Sequence, residues 1–176
     1  VDITLSIIEI IVANESDAST IARLGRELFV QTFGHLYEAD DLAMFLTEMH
    51  HVDRVASDMA KGDVYLVATD DGRPIGYAKC GKLTLPVSTF TSSPFEIKQL
   101  YIDAAYHGSG LAQKMISMIF ADCHANGFDS LYLGVWSENY KAQRFYEKFG
   151  FKPIACYWYR VGTKLDREVI MRRITD

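Results

Sequence analysis

Residues 96–112, EIKQLYIDAAYHGSGLA, run from an apolar, strand-like stretch through a turn with two glycines into an amphipathic helix. Gly108 and Gly110 let the backbone turn tightly and approach a ligand closely, and the first N–H groups of the following helix have no carbonyl one turn back to take them. With the helix dipole behind them, those amides make an anion site, and a phosphate cradle in particular. The same strand–turn–helix also serves as plain structural punctuation, so the turn by itself names no ligand.

Other reactive side chains point to less. Cys80, Cys123 and Cys156 are odd in number and lack C-x-x-C spacing, which argues against a disulfide framework or a zinc site; they read as core residues in a reducing cytoplasm. His50 and His51 are neighbours that point apart on a helix, so they form no metal pair and are expected to be solvated. No metal is expected. A chain of 176 residues with net charge −5 and scattered Lys and Arg reads as one domain, 1–176, with neither a nucleic-acid surface nor a polybasic membrane patch. The longest apolar opening, 7–13, is interrupted by Glu9 and is far shorter than the roughly 20 residues of a membrane span. No signal-peptide pattern precedes it.

The elements that must carry the turn follow from periodicity. Residues 7–12 read as a strand, and Asn14, Ser16 and Asp17 cap a helix with Ile21, Leu24 and Leu28 on one face. A second helical segment runs toward His50, and a third through 52–61 ends at Gly62. Residues 64–69 and 75–83 pair across the Asp70-Asp71-Gly72-Arg73 turn. Residues 86–94 read as a loop, and 95–102 as the strand before the glycine turn. The next helix is expected to show Leu111, Met115, Met118, Ile119 and Asp122 on adjoining parts of one face, with Ala112, Ile116 and Cys123 widening its buried side, and to end at Gly127. A strand at 131–135, a helix at 139–149 stopped by Gly150, and a hairpin of 151–161 with 168–174 across residues 162–167 complete the chain. This is a mixed α/β sheet of about seven strands.

Separated motifs now agree. HGSGLA at 107–112 fits the Q/R-x-x-G-x-G/A pyrophosphate loop of the GNAT superfamily of N-acetyltransferases, and Asn139, Ala142, Phe145, Tyr146, Gly150 and Phe151 fit its N-x-x-A-x-x-F-Y-x-x-x-G-F signature. The chain resembles that superfamily from Ile8 to Ile174. With TFGHLY near the start and LGVWSENYKAQRFYEKFGF near the end it is similar to the PaiA-type branch, whose members include polyamine acetyltransferases. His107 stands where the pattern has Gln or Arg, which makes any side-chain help to the phosphate weaker or pH-dependent.

The resemblance implies a single-domain α/β (α+β) GNAT fold, with a largely antiparallel sheet flanked by about four or five helices, and acetyl-CoA as co-substrate. It implies pantetheine beside Leu100, Tyr101 and Ile102, pyrophosphate on His107, Gly108, Ser109, Gly110, Leu111 and Ala112, and cofactor contacts from Asn139, Phe145 and Tyr146. The N–H of Leu100 becomes the oxyanion donor and Tyr146 the acid that protonates the thiolate; the alternative for Tyr146 is a core aromatic. Glu96 lies eleven positions before His107, where histone acetyltransferases of the superfamily carry a catalytic glutamate. It is a base or acceptor-site contact, or else a solvated residue at a strand start. The acceptor side is implied to draw on Phe29, Phe33, His35, Tyr37, Asp40 and Asp41 with Tyr157 and Tyr159, although each also reads as core or helix-start chemistry.

The leading expectation is therefore a cytoplasmic N-acetyltransferase that transfers acetyl to a primary amine by direct attack in a ternary complex, a polyamine such as spermidine being one candidate. A protein or peptide acetyltransferase and a non-catalytic acyl-CoA-binding module are the alternatives. The aromatic closing hairpin around Trp158 is a candidate contact surface for a homodimer.

Overall fold

Apolar–polar alternation in the strands and helical spacing between them build one seven-stranded sheet with helices on both faces. A computed structural model describes residues 7–88 and 91–175. In chain order it has β1 (Ile8–Val12), α1 (Ala18–Phe33), α2 (Ala39–Met49), α3 (Val52–Ala60), β2 (Val64–Asp70), β3 (Arg73–Lys82) and β4 (Pro94–Ile102). Then come α4 (Leu111–Ala125), β5 (Ser130–Trp136), α5 (Tyr140–Lys148), β6 (Lys152–Val161) and β7 (Lys164–Ile174). The strand order is β1-β2-β3-β4-β5-β7-β6, antiparallel throughout except for β4 beside β5.

The core lies in layers on the two sides of this sheet. On one, Leu111, Met115, Ile116, Ile119 and Cys123 of α4 bury against Ile97, Leu131, Leu133 and Met171, with Phe145 and Tyr146 of α5 at the edge. On the other, Ile21, Leu24 and Leu28 of α1 pack with Val55 of α3 on Tyr65, Val67 and Tyr77. The expected face of α4 needs one adjustment. Met118 and Asp122 are exposed, because the buried stripe runs through Ile116, Ile119 and Cys123 rather than along both flanks of Met115.

The join between β4 and β5 sets up the site. Their parallel ladder holds only from Pro94/Ser130 to Ile97/Leu133, and beyond it the two strands diverge. At the same place β4 bulges against β3: Ile97 faces Cys80 and Gln99 faces Lys79, so Lys98 is the extra residue. The N–H of Asp103 donates to the carbonyl of Ile75 at 2.8 Å, which fixes the phase of the β3–β4 ladder. Ile75/Asp103, Tyr77/Tyr101 and Lys79/Gln99 are then the bonded pairs, and the N–H groups of Leu100 and Ile102 point away from β3 into the gap.

Two further expectations are revised. The last hairpin turns on Gly162 and Thr163 alone, and Lys164 to Arg167 belong to β7, where Asp166 is buried and faces a cavity while Lys164, Leu165 and Arg167 are exposed. His50 and His51 are not simply solvated. His51 caps α3, its Nδ1 accepting from the N–H of Asp53 at 3.3 Å. His50, just past the end of α2, is 3% exposed and lies under α1 at Gly25, where any Cβ would sit 2.5 Å from its Nδ1. Its Nε2 has no hydrogen-bond partner among the described residues.

Burial, with Arg26 and Lys79 nearby, pushes His50 down to about 4 from the ordinary histidine value of 6.5. The folded state therefore resists a proton that the unfolded chain accepts, so stability is unaffected above about pH 6.5 and falls as the pH drops from there toward 4. Between pH 7 and 4.5 the expected loss from this group is about 2–3 kcal/mol. Urea unfolding of His50→Leu at the two pH values should show that component of the pH dependence gone.

Candidate active site

Two cavities meet where β4 and β5 separate. The first, a groove of about 600 Å³, runs between the gap, the glycine turn and α5. The second, about 470 Å³, lies on the side of the sheet that carries α1 and is walled by α1, α2, β6 and β7. Phe33, Leu100, Tyr101, Asn139, Ala142 and Tyr146 line both. A group entering along the groove and one entering through the cavity converge on those six residues.

Local chemistry explains the groove. Gly110 has φ +87° at the N-cap of α4, a left-handed conformation that glycine adopts without strain, and a Cβ built there would meet open space. Lys114 makes the first bond one turn back, to the carbonyl of Gly110 at 3.1 Å, so the N–H groups of Ala112 and Gln113 have no helical partner. Ser109 supports the turn from within: its Oγ donates to the carbonyl of Tyr106 at 2.7 Å and accepts from the N–H of Leu111 at 3.3 Å. The imidazole of His107 folds back, with Nε2 donating to the carbonyl of Ile102 at 3.0 Å, so it braces the turn. Asn139 caps α5, its Oδ1 accepting from the N–H of Ala142 at 3.1 Å, and so sets the position of Tyr146 two turns later.

The phenol of Tyr146 is raised well above the ordinary tyrosine value, by burial first and by nearby Cys80 second. It stays protonated at neutral pH and can act only as a donor of its proton. Cys80 and Cys123 are buried free thiols, but Cys156, expected in the core, is exposed on the sheet's edge strand.

The second cavity holds carboxylates and tyrosines. Glu96 is 5% exposed and not the solvated strand-start residue that was one reading of it. Its Oε2 accepts from the N–H and the hydroxyl of Thr84, at 2.6 and 2.9 Å. On β7, Asp166, Glu168 and Ile170 alternate onto the same face. Tyr37 donates to Asp166 at 2.5 Å and Tyr157 donates to Glu168 at 2.5 Å. Burial raises the Glu168 carboxyl above the ordinary glutamate value; the Tyr157 bond opposes this, and the charges of Asp166 and Glu96 add to it. Gly134 makes the room, since a Cβ there would lie 2.7 Å from Glu168 Oε2 and 2.8 Å from the Tyr157 hydroxyl. Lys164 already shows what this wall accepts: its ammonium sits 4.9 Å from the centre of the Tyr37 ring and 3.3 Å from Asp166.

At its far end the cavity rests on a buried ion network. Lys79 Nζ is 2.5 Å from Asp58 and 3.3 Å from Asp63; Lys98 Nζ is 2.9 Å from Asp63, and Arg54 Nε 3.0 Å from Asp58. Burial alone would raise Asp58, but Lys79 and Arg54 outweigh it and hold the carboxyl below its usual range.

The structure thus gathers most of the residues singled out from sequence. Leu100, Tyr101, Ile102, His107, Gly108, Gly110, Leu111, Ala112, Asn139, Phe145 and Tyr146 line the groove, and Phe33, Tyr37 and Glu96 line the cavity. His35 is exposed and lines neither, so it makes no acceptor wall. Asp40 is exposed, and Asp41 instead pins the last hairpin by accepting from the N–H of Thr163 at 2.5 Å. Asp166, Glu168 and the Lys79 network went unread in the sequence. The signal for the acids was present in the alternation of β7, extended back from Ile170. Among the described residues, no group of three His, Cys, Asp or Glu is placed to hold a metal.

Comparison with known proteins agrees with this architecture. The model of the acetyltransferase (GNAT) family matches residues 26–151. An uncharacterised N-acetyltransferase of Lactobacillus delbrueckii subsp. lactis is 22% identical over 167 residues, 94% of this chain and 96% of that protein. One from Mycobacterium bovis is 32% identical over 108 residues, 61% of this chain and 65% of its own length. Among solved structures, the PaiA N-acetyltransferase of Thermoplasma acidophilum in complex with coenzyme A superposes with a TM-score of 0.76 at 18% identity, covering 96% of this chain and 99% of that one. The structure of yncA from Salmonella typhimurium with its cofactor acetyl-CoA gives a TM-score of 0.70 at 22% identity, covering 96% of this chain and 94% of that one. At those identities the likeness is one of fold.

Lys79→Met tests the ion network. It leaves Asp58 and Asp63 buried with one cation fewer each, and breaking a buried pair from one side costs about 3–5 kcal/mol. Chemical denaturation should report a loss in that range, toward its lower end because Arg54 and Lys98 remain.

Proposed function

The chain belongs to the acetyltransferase (GNAT) family, and on that premise we propose that it transfers the acetyl group of acetyl-CoA to a cationic primary amine, with a polyamine such as spermidine the favoured acceptor. The observation that carries this reading is the convergence of an anion-binding groove and an acidic, tyrosine-lined cavity on the Leu100–Tyr146 junction. Diphosphate on the amides of Ala112 and Gln113 and pantetheine along the free edge of β4 bring the thioester to that junction. The N–H of Leu100, with no strand opposite it, is the donor available to the carbonyl oxygen as it becomes an oxyanion.

The acceptor arrives protonated and must lose a proton before its nitrogen can attack. Glu96 and Glu168 are the two carboxylates placed to take it, and their surroundings differ. Thr84 donates twice to Glu96, whereas Glu168 is desolvated beside two other acids, which raises its carboxyl above the ordinary glutamate value. We assign Glu168 as the principal proton acceptor and Glu96 as the charge that holds the amine in place. The nitrogen lone pair then forms the C–N bond to the thioester carbon, the intermediate collapses with cleavage of the C–S bond, Tyr146 gives its phenolic proton to the departing thiolate, and the second proton that the nitrogen sheds as the amide forms restores the phenol.

Polyamines fit because their additional ammonium groups match the Asp166–Tyr37 wall, where Lys164 already places one. Cytoplasmic residence is our reading of the free thiols, and no helix among the described residues is long and apolar enough to cross a membrane. Release of CoA thiol measured with spermidine, neutral amino acids and a lysine peptide tests the function: spermidine should be fastest, with rates that fall as salt rises. A preference for neutral amino acids would remove the polyamine assignment, and no thiol release with any acceptor would leave a binding module.

Two substitutions test the mechanism. Tyr146→Phe keeps the ring, so affinity for acetyl-CoA should be retained while kcat falls about 10²-fold, the lower end for a lost general acid because a thiolate leaves readily. Glu168→Gln keeps the hydrogen bond from Tyr157, and kcat/KM should drop about 10²-fold at neutral pH, then recover toward the parent as rising pH deprotonates the amine itself. If Glu96→Gln and not Glu168→Gln shows that pH rescue, the two roles are reversed.

A further inference from the structure

We propose that Lys164 is an internal competitor for the acceptor cavity: its ammonium holds the outer side of Asp166, where the second ammonium of a diamine acceptor would bind, and so sets how strongly the protein prefers diamines to monoamines. This rests on the reading that the cavity receives a cationic amine. Three contacts define the position. The Nζ of Lys164 lies 3.3 Å from Asp166 Oδ1 and 4.9 Å from the centre of the Tyr37 ring, and it donates to the carbonyl of Leu36 at 3.2 Å. A carboxylate oxygen, an aromatic face and a backbone carbonyl together make a complete ammonium site. The Tyr37 hydroxyl takes the other carboxylate oxygen of Asp166, so Oδ1 is the one left for a cation.

Burial shows that this carboxylate can be approached from two sides. The side chain of Asp166 is 7% exposed and that of Lys164 is 42% exposed. Asp166 and Tyr37 line the cavity, whereas Lys164 is not among its lining residues. The carboxylate thus stands between the lysine on the solvent side and the cavity, and a cation entering through the cavity meets it from the other side. Two ammonium groups on one carboxylate repel each other, so an acceptor must either displace Lys164 or bind against its charge. Either course weakens the hold on a second ammonium, and a monoamine held at Glu168 does not meet it.

Lys164 is not what fastens the last hairpin. Asp41 does so one residue earlier, accepting from the N–H of Thr163 at 2.5 Å, and β6 pairs with β7 from Val161/Lys164 inward. The Lys164–Asp166 pair is itself weak, because one partner is partly exposed and a lysine gives up rotamer freedom to stay in place. A loosely held cation on a buried acid is one that an entering ammonium can replace.

Spacing on the strand then selects the acceptor. Asp166 and Glu168 alternate onto one face of β7, so they stand about 7 Å apart. An extended chain advances about 1.2 Å per bond, and four carbons hold two nitrogens about 6 Å apart. With its reacting nitrogen at Glu168, butane-1,4-diamine, a unit that spermidine contains, brings its second ammonium to Asp166. The compound n-butylamine has the same chain and no second charge.

Initial rates of CoA thiol release with these two amines test the competition through the ratio of their kcat/KM values, diamine over monoamine. In Lys164→Met that ratio should rise about threefold to fivefold over the parent, the size of one partly exposed ion pair. Lys164→Arg keeps the charge and should keep the parent ratio. An unchanged or lower ratio in Lys164→Met would overturn the proposal, and so would an equal rise in Lys164→Arg, which would make shape rather than charge the cause. If the parent releases no thiol with either amine, the acetyl-transfer reading fails by itself, and calorimetric titration of the protein with butane-1,4-diamine decides the competition. Lys164→Met should then bind the diamine about threefold to fivefold more tightly than the parent, and equal affinities would overturn the proposal.

Discussion

Beyond Ile97 the backbone of β4 has a strand on one side only. Peptide groups left without partners are costly unless water or a ligand satisfies them, and here the unpaired amides of Leu100 and Ile102 face a gap between two strands of the same sheet. Everything else about the site is arranged around that gap. The bulge at Lys98 resets the alternation of β4, so that Gln99 and Tyr101 face the acidic cavity while Leu100 and Ile102 pack toward α4. A single helical turn, Ala104–Tyr106, joins β4 to the glycine turn, which places the anion-binding end of α4 at one mouth of the gap. Asn139 starts α5 at the other side, which places Tyr146 over it. A ligand with an extended amide chain between an anionic head and an acyl end satisfies all three at once.

Charge is then distributed to keep the two entering molecules apart until they meet. The groove is lined by amides and cations, and the cavity by Glu96, Asp166 and Glu168 with the hydroxyls of Tyr37 and Tyr157. On the function proposed above, this arrangement would draw an anionic donor and a cationic acceptor each to its own side. The buried network of Lys79, Lys98, Arg54, Asp58 and Asp63 holds α3, β3 and β4 in register beneath the cavity. It also includes the bulged residue, Lys98, and so ties the irregularity of β4 to fixed partners.

Much of this was legible in the residues. Asp71 and Gly72 both adopt positive φ, as the Asp-Gly hairpin signal requires, and Gly110 adopts the left-handed conformation expected of it at the head of α4. The periodicity of α1 put Ile21, Leu24 and Leu28 in the core. The misreadings share a cause. Polar side chains on an inward face look like solvated loop or helix surface, so the sequence suggests a turn at Asp166, leaves Glu96 open to solvent and solvates His50, whereas the missing side chain at Gly25 makes room for a buried imidazole. The splay of β4 from β5 is a tertiary feature with no local signature, because nothing in the residues after Ile97 shows that their neighbour has left. His35 failed for the opposite reason, since a motif shared with a branch of the superfamily placed it near the site while the single helical turn of Gly34–Leu36 carries it outward.

The central claim is that the free amide of Leu100 and the phenol of Tyr146 bracket the acyl group. A crystal structure of the protein with acetyl-CoA tests it most directly. The thioester carbonyl oxygen should lie about 2.7–3.1 Å from the backbone nitrogen of Leu100, the distance expected of an oxyanion donor, with the sulfur against the Tyr146 hydroxyl and the chain of amides between β4 and β5. Acetyl-CoA bound with its acyl end away from that gap, or with the gap between β4 and β5 filled by solvent alone, would contradict it.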